Sequence, residues 1–148
     1  MESTVTINRR RALLVGVALS ATFLVLRIYL HHSPSANFNV GAYNIHHLFT
    51  GLLMVTAGGV PLALFHGNSR WLDLAAIVFG AGLSMALDEW VYLITTDGSD
   101  ESYLLPISLW GGAVMVAIAL VYLSFLALVG SHCERARSDT TLERTRER

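Results

Sequence analysis

Lysine is absent from this 148-residue chain, and cysteine occurs once, as Cys133. One cysteine excludes an intrachain disulfide, and its position in a polar C-terminal stretch reads as a free thiol in a reducing compartment. Every strongly basic residue is arginine, a compositional bias to which we attach no function. Charge of either sign is scarce. Charged residues make up 14% of the chain, against about 25% in ordinary soluble domains. The formal net charge of −1 offers no basic surface for nucleic acid.

What remains is apolar. Hydrophobic residues account for 53% of the chain and the mean hydropathy is +0.52. Charges gather at residues 1–11, 97–101 and 134–148, leaving long apolar runs between. Four such runs are evident: Ala12 to Leu30, about Ile45 to Phe65, Trp71 to Ile94, and Leu104 to Val129. Each has roughly the 20 residues that a helix needs to cross a bilayer. Helices satisfy their own backbone polar groups in lipid, and these runs are too long and unbroken for barrel strands. The expected fold is therefore an all-α, four-helix transmembrane bundle. A basic N-terminus (1–11) precedes a single membrane domain (12–130), and a polar tail (131–148), disordered or a frayed surface helix, follows.

Arginine sets the expected orientation. Arg9, Arg10 and Arg11 precede the first run, Arg70 lies between the second and third, and Arg135 and Arg137 follow the fourth. The loop 31–44 has no arginine, and the loop 95–103 is acidic. The positive-inside rule puts both termini in the cytoplasm of a multi-pass protein of the cell (inner) membrane. The first run is too long for a signal peptide, Arg27 interrupts it, and no small-x-small site follows at once, so it reads as a retained helix. Asn44 is a candidate cap for the second helix, and Asn68 or Ser69 for the third, with Asp73 favourably set in its first turn. Pro61 is expected to kink the second helix.

The polar residues that interrupt the apolar runs fall at the outer ends. They are His31 and His32, His46 and His47, Asp88 and Glu89, then Asp97, Asp100 and Glu101. His66 and His132 fall at the opposite end. Gly80, Ser84 and Asp88 recur every four residues, as do His47, Gly51, Val55 and Gly59. Such small-residue stripes let helices approach closely. If those two stripes meet, His47 and Asp88 come together, with His46 and Glu89 flanking. Arg27 lies at similar depth, on the side where arginine is least expected, and needs a partner there.

Three readings follow. In the leading one, His46, His47, Asp88 and Glu89 bind a divalent metal such as zinc, manganese, iron or nickel. Asp88 or Glu89 then completes the ligand shell or serves as catalytic base for a metal-bound water, acting on a membrane-accessible substrate. In the rival reading the protein is a non-enzymatic accessory subunit or oligomeric scaffold. Arg27, Asp88, Glu89 and the histidines then form a structural network. The third is metal-free acid–base chemistry by His and carboxylate. The bilayer is the expected partner in every case, with a second copy or another membrane protein besides. His31 and His32 read as solvated interface residues, and Asp97, Asp100 and Glu101 as a solvated acidic loop. Trp71, Trp90, Tyr92, Tyr103 and Trp110 read as an interfacial aromatic belt. Gly111 and Gly112 read as a tight helix contact.

"IHHLFTGLLM" followed by "VFGAGLSMALDEWVYLI" resembles a family of small prokaryotic integral membrane proteins. Its pattern is a His-His-x-x-x-Gly helix, then a Gly-rich helix ending in Asp-Glu, then an acidic and aromatic segment. The positions here are His46, His47, Gly51, Gly80, Gly82, Asp88 and Glu89, with Asp97 to Tyr103 as the looser third part. The resemblance covers about residues 44–110. It implies a multi-helix membrane fold and a shared site, and it implies no activity.

Overall fold

A computed structural model describes residues 7–32, 39–40, 43–44, 47–96 and 100–146. The chain is all-α, built on four long helices. α1 spans Arg9–His32, α2 His47–Leu64, α3 Arg70–Thr95 and α5 Pro106–Arg146. A single turn, α4 (Asp100–Tyr103), precedes α5. Between α1 and α2, β1 (Asn39–Val40) pairs antiparallel with β2 (Tyr43–Asn44), Asn39 opposite Asn44. The four helices are long and apolar enough to cross a membrane. The apolar part of α5 is Pro106–Ser131, and the helix continues beyond it into the charged tail as far as Arg146.

Local chemistry explains several helix ends. Ser69 caps α3 in an extended conformation, and its Oγ accepts the Trp71 N–H at 3.3 Å. Gly67, in the α2–α3 connection, has φ +110°, a region that favours glycine. Pro106 opens α5, where its missing N–H costs nothing and its fixed φ suits the first turn. Pro61 lies inside α2, three residues before its end, and the helix is continuous through it. Asn44 lies three residues before the start of α2, not at its cap position. It pairs in β2, and α2 begins at His47, so the first-turn donors need another acceptor.

α3 is the hub: α1, α2 and α5 all pack on it, and it holds most of the buried residues. Residue contacts fix the directions. Arg10 and Arg11 meet Asp73, and Arg27 meets Asp88, so α1 and α3 run parallel. Gly51 faces Gly82 and Ala86 while Gly58 faces Ala75 and Phe79, so α2 runs antiparallel to α3. Gly112 faces Asp88 and Arg27, and Gly16 faces Leu120 and Leu123, so α5 also runs antiparallel to both. Successive long helices thus alternate in direction, as four consecutive crossings require.

Between helices in lipid, hydrophobic burial gives little drive, and close backbone packing takes over. The α2–α3 contact shows this. A Cβ added to Gly51 would sit 2.7 Å from the Gly82 carbonyl oxygen and 2.8 Å from the Ala86 nitrogen. Both are backbone atoms that cannot move aside. The α1–α3 contact uses another face of α3, where Gly80 abuts Val15 and Ala18. The two stripes singled out in the sequence therefore do not face one another: Gly51 packs on Gly82, and Gly80 packs on α1.

Candidate functional site

Arg27 sits just over a turn before the end of α1, and its head group turns inward between α3 and α5. Its Nε donates to Asp88 Oδ1 at 3.0 Å, and Nη2 donates to the same oxygen. Nη2 also reaches the Ser108 carbonyl at 3.0 Å and the Ser108 Oγ at 3.3 Å. Nη1 donates to the Tyr103 carbonyl at 3.2 Å. The Tyr103 ring lies under the guanidinium, 4.3 Å from centroid to Cζ, and the Phe23 ring stands at 5.7 Å. A cation held over aromatic faces in a desolvated setting gains further attraction.

Asp88 is 2% exposed. Its Oδ1 takes the arginine, and its Oδ2 accepts the Tyr103 hydroxyl. Tyr103 lies in α4, outside the apolar spans, and is steadied edge-on by Tyr92 at 5.2 Å and 72°. Burial, and then the negative charge of Asp88, push the Tyr103 phenol well above the usual tyrosine range. It therefore stays protonated, and stays a donor to Asp88, wherever an ordinary tyrosine begins to ionise near pH 10. Gly112 of α5 completes the enclosure. A methyl there would overlap Asp88 Oδ1 and lie 3.1 Å from Arg27 Nη2.

Glu89 is one residue on, and one residue of α-helix is a rotation of about 100°. It therefore faces α2 rather than α1. Glu89 is 3% exposed, and its Oε2 accepts the Leu48 N–H in the first turn of α2. A carboxylate from the neighbouring helix thus caps α2, at the end where the helix dipole favours negative charge. His47 Nδ1 stands 3.9 Å from the same Oε2, and the His47 side chain is 33% exposed.

The expected residues are thus sorted into two groups. Asp88 joins Arg27, Tyr103 and Ser108, while Glu89 joins His47 and the start of α2. His47 and Asp88 do not form the expected pair. His46 and Asp97 lie outside the described residues, and Asp100 and Glu101 belong to α4 by their backbone. His31 and His32 are exposed at the end of α1, where His32 Nδ1 lies 2.9 Å from the Ile28 carbonyl. Among the described residues no three His, Cys, Asp or Glu side chains converge as a metal-holding group.

Sequence reasoning misses Tyr92 and Ser108, and it reaches Tyr103 only through the resemblance, as the end of the acidic and aromatic segment. The two tyrosines were assigned to the aromatic belt, but Tyr92 is buried and Tyr103 turns inward, whereas Trp71, Trp90 and Trp110 are exposed as a belt requires. The tight contact expected of Gly111 and Gly112 is present, against Val91 and the Arg27–Asp88 pair. A second ion cluster closes the opposite end of the same α1–α3 face. Asp73, buried, meets Arg10 at 3.0 Å and Arg11 at 3.6 Å, and Arg11 also donates to the Gly67 carbonyl. Its signal in the sequence was the Arg9-Arg10-Arg11 run opposite a first-turn aspartate.

No family model, curated protein or solved structure matches the chain.

Proposed function

We propose that the chain is a membrane-embedded helical scaffold or accessory subunit, and that its outer polar cluster sets helix register. One observation carries this reading. The Arg27 head is directed at internal acceptors, and both Asp88 oxygens are occupied, one by Arg27 and the other by Tyr103. A buried cluster paired in this way serves as a structural device, and both Asp88 oxygens already accept hydrogen bonds within it. In mild detergent, the untagged chain should co-purify from its native membrane with a stoichiometric membrane protein or as a defined oligomer. Recovery as a lone monomer under gentle extraction sinks the scaffold reading.

The His47–Glu89 edge supports a second reading. A ring nitrogen and a carboxylate oxygen 3.9 Å apart, with the histidine one-third exposed, are two donors that a divalent zinc, manganese, iron or nickel ion could draw together. His46 precedes them in sequence as a third candidate. On this reading Glu89, not Asp88, is the carboxylate that holds the metal or acts as base. The same untagged preparation tests it: near-stoichiometric metal, lost in a folded His46→Ala/His47→Ala variant, supports the metal site.

For orientation, the arginine distribution favours both termini in the cytoplasm of the cell membrane. Cys133, the single thiol, should then resist an impermeant maleimide in intact cells and react once they are opened. Labelling without permeabilisation reverses the assignment.

A further inference from the structure

Toward the arginine-rich end, a groove of about 550 Å³ runs along α2 and α3, beside the close Gly58–Ala75 contact. Its deep part is apolar, formed by Ala57, Pro61, Leu74 and Val78, and His66, Ser69 and Trp71 stand at its mouth. We propose that this groove binds one anionic phospholipid, an acyl chain filling the apolar part and the phosphate resting at the mouth. The inference rests on the four helices lying in a bilayer and is independent of the scaffold reading.

Dimensions favour a lipid chain over a helix. Ser69 to Val78 spans about 14 Å at 1.5 Å per residue, close to the ~15 Å of one leaflet's hydrocarbon. Spread over that length, the volume gives a mean cross-section of about 40 Å². A helix with side chains, about 10 Å across, needs roughly 80 Å². An extended hydrocarbon chain fits within that section, whereas a second copy's helix would seat only one face of itself there. The groove enters from the polar end and runs inward along the spans, as a chain hanging from a headgroup does.

Charge favours an anionic head. Arg70 is exposed beside Ser69 and Trp71. Arg11 donates to the Gly67 carbonyl in the same connection, and the Arg10 side chain is 64% exposed. Asp73 meets Arg10 and Arg11, while Arg70 meets no carboxylate among the described residues, so among these side chains one negative charge stands against three positive ones. The first turn of α3 adds the positive end of its dipole. Trp71, 78% exposed at the mouth, sits at the level where indole anchors to headgroups.

The full-length, delipidated chain is titrated in detergent with dioleoylphosphatidylglycerol and, separately, with dioleoylphosphatidylcholine, and retained lipid is counted by native mass spectrometry. We expect one phosphatidylglycerol per chain, preferred over phosphatidylcholine by about five-fold or more for each arginine engaged. Ala57→Trp should abolish retention, since Ala57 is exposed on the groove wall, away from the α2–α3 contact. Leu74→Trp, which fills the groove from α3, serves if Ala57→Trp does not fold. Arg70→Gln should weaken retention by about five-fold. Equal retention of both lipids, unchanged in both tryptophan variants, overturns the proposal in favour of bulk annular lipid. So does a wild-type dimer that the tryptophan variants dissociate, because the groove then seats a second copy. Displacement of the lipid by inorganic phosphate alone overturns it as well, since an anion site would then need no chain.

Discussion

Asp88→Ala should lower the unfolding free energy by about 3–5 kcal/mol, and Arg27→Ala should do comparable damage, because each leaves an uncompensated charge among α1, α3 and α5. Arg27 carries no alternative carboxylate among its described partners, which besides Asp88 are the Tyr103 carbonyl and Ser108. The double variant Arg27→Met/Asp88→Leu should recover most of the loss, because apolar side chains of similar volume replace a buried pair at little net cost. Equilibrium unfolding in detergent, read by circular dichroism, measures all three. Single variants that lose under about 1 kcal/mol would remove the cluster from its structural role. A double variant as unstable as the singles would show that the packing around Gly112, rather than the charge balance, dominates.

Gly51→Val should break a different contact. The new Cβ meets the Gly82 carbonyl oxygen and the Ala86 nitrogen, so α2 must withdraw from α3 along its N-terminal half. Overpacking typically costs about 1–3 kcal/mol, and more where the opposing atoms are backbone. Withdrawal also pulls the Leu48 N–H away from Glu89, uncapping α2. Hydrogen exchange should then rise across His47–Leu64 while α1 and the centre of α3 keep their protection. The two ion clusters lie on the α1 face of α3, and Gly82 lies on the α2 face. The Gly51→Val and Asp88→Ala losses should therefore add within about 0.5 kcal/mol. Uniformly faster exchange in all four helices would contradict this division of α3 into two faces.

The helices were legible because an apolar run of span length has few alternatives in lipid, and the structure has long helices at all four runs. Helix directions followed from the same alternation. Pairing was harder. Gly80, Ser84 and Asp88 do share a face of α3, but four-residue spacing says nothing about which neighbour that face meets, and it meets α1. The step of about 100° from Asp88 to Glu89 is legible and makes Glu89 a flanking residue, but it does not say that Glu89 goes to α2 and Asp88 to α1. Arg27's need for a partner was visible from its depth. Its backbone acceptors at Tyr103 and Ser108 were not, because a carbonyl has no sequence signature.

The order of the helices along the chain has a consequence for synthesis. Among the described residues α1 packs chiefly on α3 and α5 rather than on the helix that follows it. Arg27 and Asp88 are separated by 61 residues. At about 5–20 residues per second, and if the helices enter a bilayer as they are made, α1 waits roughly 3–12 s there before its anion is even polymerised. During that interval the guanidinium must snorkel to the near interface or stay with the insertion machinery, since an arginine deep in a lone helix is costly to leave in lipid. The arrival of α3, then of Tyr103 in α4 and Ser108 at the head of α5, draws it inward. The last-made span therefore commits the first-made one, and a nascent chain truncated before α5 holds an arginine whose cage is half built.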